Sequence, residues 1–183
     1  MQDAPLHFTK SAASNAIIDI DDKQIDQTID GFGFALTGGS AQLMMRMDAA
    51  KRSALLHELF DFDGKNIGVS YLRVTVGASD MNDHVFSYDD LPKGEADPTL
   101  AKFSLAPDQA DVIPILKQIL AIDPKIKILA SPWSAPPWMK TTGGVKGGVL
   151  KPEYYAFYAE YFVKYIQGMQ AEGITIDALM SSQ

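Results

Sequence analysis

The sequence predicts an α/β fold on a parallel sheet, in the form of the first half of a (β/α)8 barrel. After residue 30, short apolar strand segments alternate with helical segments four times. That pattern implies parallel strands joined by right-handed crossovers. Doubly wound sheets and barrels both satisfy it. Two observations favour the barrel: polar or aromatic residues follow every strand, as at a barrel's active face, and no phosphate-binding loop is present. A whole barrel needs about 250 residues, and a chain of 183 residues leaves too few after Asp30. Four strands cannot close one.

Taken in order, residues 1–29 read as short strands at 7–9, 16–20 and 24–29, from their β-branched residues and lack of helical period. Residues 31–39 form a glycine-flanked apolar strand entering a turn, and Ser40 is a suitable N-cap for a short helix through Met45. The Gly31-Phe32-Gly33 triplet lacks the third glycine of a dinucleotide fingerprint and no ribose-binding acid follows it, so it marks no nucleotide site. Asp48 caps a helix over 49–60, with Leu55, Leu56, Leu59 and Phe60 on one stripe and His57 as a structural residue between them.

Gly68–Val76 reads as a second buried strand. Arg73 near its middle predicts a carboxylate partner, because an unpaired charge inside an apolar strand is costly. Residues 81–107 show no period, and loops of that length are usually functional or mobile; His84 within it reads as a solvated loop histidine. Asp108 begins a helix to Ala121, kinked by Pro114. Lys127–Ala130 is a third strand, ended at Ser131-Pro132.

Both tryptophans of the chain, Trp133 and Trp138, follow directly, with Pro132, Pro136 and Pro137 stiffening the backbone between them. A rigid aromatic platform loses little entropy when a ligand stacks on it. Two core tryptophans under a loop fit the same spacing equally well. Four glycines between Gly143 and Gly148 lead to a tyrosine-rich helix from Pro152 to Ala171, most of whose aromatics pack on the sheet. Gly173 stops it, and Ile174–Gln183 is a fourth strand.

Composition narrows the partners. At 46% hydrophobic the chain can bury one substantial core. Its net charge of −7 argues against nucleic acid and anionic membrane surfaces. The absence of cysteine excludes disulfides, a thiol nucleophile and cysteine-based zinc sites. Nothing in the sequence calls for a metal or cofactor. No apolar run approaches the 18 or so residues of a membrane span, and the first eight residues show no signal-peptide pattern.

DGFGFALTGGSA (30–41), YLRVTVGASD (71–80), FSYDD (86–90), FSLAPDQADVIPILK (103–117), ILASPWSAPPWMKTTG (128–143) and YYAFYAEYFVKYI (154–166) carry a specific resemblance. In this order they resemble glycoside hydrolase family 30, which includes glucosylceramidases and bacterial β-glucanases. The resemblance implies a (β/α)8 TIM barrel with a side β-sandwich built from both chain ends. Residues 1–29 would supply N-terminal strands of that sandwich, and 30–183 the N-terminal half of the catalytic barrel.

It also implies retaining hydrolysis of β-glucosides, either a glucosylceramide-like glycolipid or a β-glucan. The family's acid/base glutamate lies in an Asn-Glu-Pro motif after the fourth strand, preceded by glutamine; its nucleophile follows the seventh. Gln183 matches that glutamine, so the acid/base is expected just after Gln183 and no catalytic residue lies within the chain. Asp80 and Trp133 match substrate-binding positions of the family, and Arg73 an arginine beneath the catalytic centre. Trp138 and Gln183 are supporting positions. Gly38 stands where many members have aspartate, which alters the first loop's contribution to sugar binding.

The chain is thus expected to be an N-terminal fragment, inactive by itself, whose natural partner is the C-terminal half of the barrel. A non-catalytic truncated product or sugar-binding remnant is the alternative. The mature full-length form is expected to be secreted or periplasmic.

Overall fold

The computed structural model describes residues 18–180. Four parallel strands form one sheet in the order β1-β2-β3-β4: β1 (Gly33–Leu36), β2 (Tyr71–Val76), β3 (Lys127–Pro132) and β4 (Ala178–Leu179). Between them lie α1 (Gly38–Arg46), α2 (Ala49–Phe60), α3 (Val112–Ile122) and α4 (Tyr155–Ala171). The predicted half-barrel of β/α units is present, each strand beside its neighbour in sequence.

The period-2 alternation of β2 explains how the sheet divides inside from outside. Leu72, Val74 and Val76 are buried, while Arg73 between them is exposed. Register carries the pattern sideways. Leu36 pairs with Val74, Val74 with Ala130 and Ala130 with Leu179, a row that is buried except at its last member. The next row, Ala35, Arg73 and Leu129, lies on the other face. The first face receives the apolar stripes of the helices: Leu56 and Phe60 from α2, Ile115, Leu116 and Ile119 from α3, Tyr161, Tyr165 and Met169 from α4. The second face, which would line a closed barrel, is uncovered.

Several boundaries differ from the sequence expectation, each for a local reason. The N-cap of α1 is Thr37, whose Oγ1 accepts from the Ser40 amide at 3.2 Å. Gly38 and Gly39 form the first turn because the segment over them leaves no room for a Cβ. A Cβ at Gly39 would stand 1.9 Å from the Met81 carbonyl oxygen. Asp48 caps α2 as predicted, its carboxylate accepting from the Ala50 and Lys51 amides.

The helix expected from Asp108 begins later. Ala106–Asp108 is a single 3-10 turn, and α3 starts at Val112 with Asp111 as its cap, at 2.6 Å from the Val112 amide. Asp108 instead turns inward to the Tyr88 phenol. Pro114 falls in the first turn of α3, where a missing amide hydrogen costs nothing, so it does not kink the helix there.

The fourth strand is shorter than the segment 174–183 suggested. Asp177 takes the Ile128 amide on its side chain at 2.9 Å, and ladder pairing covers only Ala178 and Leu179. Residues 18–29 carry no strand; Ile18, Ile20 and Ile25 are more than three-quarters exposed there. An extended segment without a neighbouring strand has no ladder to join. The expected strand at 7–9 and residues 16 and 17 lie outside the described residues.

Candidate functional site

Strands β2 and β3 end in register, Val76 opposite Pro132. The residues after them leave the sheet side by side at its C-terminal edge. On β2, Gly77 turns the chain at φ +83°, with the Ala78 amide on the Phe86 carbonyl at 3.0 Å. Ser79 then closes a small knot: its amide donates to Asn82 Oδ1 at 2.9 Å, and its hydroxyl accepts from the Met81 amide at 3.2 Å. The knot lifts Asp80 to an exposed apex. Among the described residues the Asp80 carboxylate makes no hydrogen bond or ion pair, so both oxygens are open to a ligand.

On β3, Trp133 follows Pro132 directly and is half-buried. It forms one wall of a cleft of about 430 Å³ with Ser134, Lys140 and the segment 148–150, and with Tyr155 and Tyr158 of α4 beyond. That volume lies within the roughly 300–1,000 Å³ of small-ligand sites.

Trp138, five residues further on, is half-buried and is not part of that cleft's lining. Its indole Nε1–H donates to Asp89, at 3.2 Å from the carbonyl and 3.1 Å from Oδ2. Its ring meets Tyr154 edge-on at 5.0 Å. Asp89 itself is buried, and its Oδ1 has no hydrogen-bond partner among the described residues. Burial, with the neighbouring Asp97 charge, pushes its carboxyl up to about 6.

Arg73 corrects the sequence reading. It is exposed, and Nη2 donates to the Ser131 hydroxyl at 3.1 Å, with no carboxylate partner among the described residues. The open face of the sheet hydrates the guanidinium, so the burial cost that called for a carboxylate does not arise. Arg73 lies mid-strand on the open face, and its side chain reaches Ser131 near the C-terminal end of β3.

His57 and His84 are both exposed and paired with local carboxylates, Asp61 at 2.8 Å and Asp83 at 2.6 Å. Neither reaches the Trp133 cleft. Gln183 lies outside the described residues. Among the described residues no group of three potential metal ligands converges, and no helix is long and apolar enough to cross a membrane.

The sequence reading takes Lys140 only as the start of the glycine-rich return and gives Ser134 no part. The signal is a lysine two residues after Trp138, but its burial depends on a loop folding back over it.

Parallel β/α units in the sheet order β1-β2-β3-β4, with a polar, aromatic-lined cleft at their strand ends, have the architecture of part of a (β/α)8 barrel. Residues 29–183 match the glycosyl hydrolase family 30 TIM-barrel domain, and the chain belongs to that family. An endo-1,6-β-D-glucanase of Neurospora crassa is 36% identical over 96% of this chain and 38% of its own length. The lysosomal acid glucosylceramidase of Mus musculus is 32% identical over 81% of this chain and 29% of its own. Among solved structures, the endo-β1,6-glucanase BT3312 superposes with a TM-score of 0.73 at 41% identity, covering 84% of this chain and 34% of that one. The chain thus spans about a third of the length of these relatives, from 29% to 38%.

Proposed function

We propose that this chain supplies the first half of the active site of a retaining β-glycosidase, and that Asp80 and Trp133 bind the sugar. The observation that supports this reading is the Val76–Pro132 pairing of adjacent strands: a free carboxylate follows one strand in the Gly77–Asp80 turn and a half-buried indole directly follows the other, although Asp80 does not itself line the Trp133 cleft. A carboxylate accepts from two sugar hydroxyls at once, while the C–H face of a pyranose packs on the apolar face of an indole.

The rest of the chemistry lies elsewhere. Retaining hydrolysis needs two carboxyls about 5–5.5 Å apart, one as nucleophile and one as acid then base. The family places the nucleophile after the seventh strand and the acid/base after the fourth, two residues beyond the position that Gln183 matches. Residues 1–183 by themselves should therefore bind but not hydrolyse. Arg73 would sit beneath the catalytic centre, where a fixed positive charge lowers the pKa of a neighbouring carboxylate.

Among β-glucosides, a β-1,6-glucan is the better-supported substrate, because the relatives of 36% and 41% identity carry that activity in their names. A glucosylceramide-like glycolipid is second. We read the mature full-length form as secreted or periplasmic, where such polymers are met.

The test is to assay purified 1–183 on a β-1,6-glucan and an aryl β-glucoside, alone and with a polypeptide carrying the remaining strands. Turnover only in the mixture supports the reading. Turnover by 1–183 alone, abolished by a substitution within it, overturns it.

A further inference from the structure

The glycine-rich segment between Lys140 and Leu150 has little to hold it in place. Its ends are tied by backbone: Lys140 bridges Leu150, and the Thr141 amide donates to the Val149 carbonyl at 3.0 Å. Between them Gly143 and Gly147 adopt positive φ with open space around them. Within the segment the Thr142 hydroxyl makes only long contacts, 3.4 Å to the Gly144 and Gly147 carbonyls, and the shorter bonds to its middle come from Lys140 and Ser134. Lys140 is only 8% exposed, and its Nζ donates to the Ser134 hydroxyl at 2.9 Å and the Val145 carbonyl at 2.8 Å. The Ser134 hydroxyl also lies 2.9 Å from the same Val145 carbonyl, closing a three-membered node.

No carboxylate pairs with Lys140 among the described residues. A buried ammonium with only neutral partners is a costly way to stabilise a loop, so its position calls for an account. The node joins the two walls of one cleft. Ser134 adjoins Trp133, and Gly148, Val149 and Leu150 face it across the opening. An ammonium suits the task, since its donors rotate to meet a hydroxyl and a carbonyl that converge from different directions.

We propose that Lys140 is a positioning residue: its ammonium straps Val145 to Ser134, fixes the spacing between the glycine-rich loop and Trp133, and so selects which β-glucoside substituents enter the cleft. The strap stands on the geometry alone; its effect on sugar binding rests on the function proposed above.

Limited proteolysis separates the two. Trypsin cleavage after Lys146, an exposed residue adjoining Val145, is followed by mass spectrometry in 1–183 and in Lys140→Met and Ser134→Ala. Quenching of tryptophan fluorescence by gentiobiose, a β-1,6-linked glucose disaccharide, is titrated in parallel. Lys140→Met should be cut after Lys146 about tenfold faster than the parent, with cutting after Lys117 in α3 and Lys164 in α4 unchanged, and should lose most of the quenching.

Equal cutting after Lys146 in the parent and Lys140→Met overturns the strap, as does acceleration at all three lysines alike. Should Lys140→Met fail to fold, Ser134→Ala decides: cutting after Lys146 at the parent rate overturns the proposal. Selective cutting after Lys146 with no gentiobiose response in any protein keeps the strap and overturns its role in sugar binding.

Discussion

The phenol of Tyr88 donates to the carboxylate of Asp108 at 2.5 Å, and both residues are buried. The pair joins the long loop after β2 to the turn before α3. Tyr88 also stacks against Tyr161 and Tyr165 of α4, with centroids at 6.1 and 5.6 Å. Burial pushes the Asp108 carboxyl up to about 7, against the lowering effect of the Tyr88 hydrogen bond.

Stability should therefore fall as pH rises from about 4 to about 7. A carboxyl whose pKa is raised by folding holds its proton more tightly in the native state. Its contribution is full below the ordinary value of 3.8 and is lost as pH rises towards about 7. Asp89, raised to about 6, acts in the same direction. The thermal midpoint followed by circular dichroism should be higher at pH 5 than at pH 8. Asp108→Asn should flatten that slope, leaving the smaller part due to Asp89. A midpoint that rises from pH 5 to 8 would contradict this account.

Arg73→Ala should leave stability almost unchanged, within about 0.5 kcal/mol, the usual range for surface substitutions. Its guanidinium is hydrated and bonded to a neutral hydroxyl. A buried pair would cost roughly 3–5 kcal/mol on truncation. The urea midpoint distinguishes the two.

Gly39→Ala should disturb ligand binding without unfolding the chain. The added methyl meets the Met81 backbone, not a side chain that could swing away. The strain falls on the turn that holds Asp80. Far-UV ellipticity should be retained, while the gentiobiose titration shifts to weaker affinity.

Asp80→Asn and Trp133→Ala should each depress kcat/KM in the complemented enzyme. A hydrogen bond to a charged group contributes about 1.5–3 kcal/mol, roughly 10- to 150-fold in rate. Normal kinetics in both folded variants would remove these residues from the site.

What could be read from the sequence was whatever depends on neighbours along the chain. The alternation of Leu72, Val74 and Val76 marked β2, and Asp48 marked the start of α2. Asp80 and Trp133 were placed at strand ends because each follows a strand within a few residues. Arg73 was misjudged because its cost depends on whether the face it occupies is covered. The start of α3 was misplaced because Asp108 and Asp111 are equivalent caps locally, and only the phenol of Tyr88, twenty residues earlier, separates them. The burial of Lys140 escaped notice because its partners are assembled by a returning loop.

The sheet order β1-β2-β3-β4 repeats the order of synthesis. Each strand, as it leaves the ribosome, finds its only earlier partner already made. Translation proceeds at about 5–20 residues per second, so β1, β2 and β3 have roughly a few seconds together before β4 follows. Assembly can then run in one direction, unit by unit, and β4, with two paired residues, is the growing end on which the next strand of a longer polypeptide would be laid.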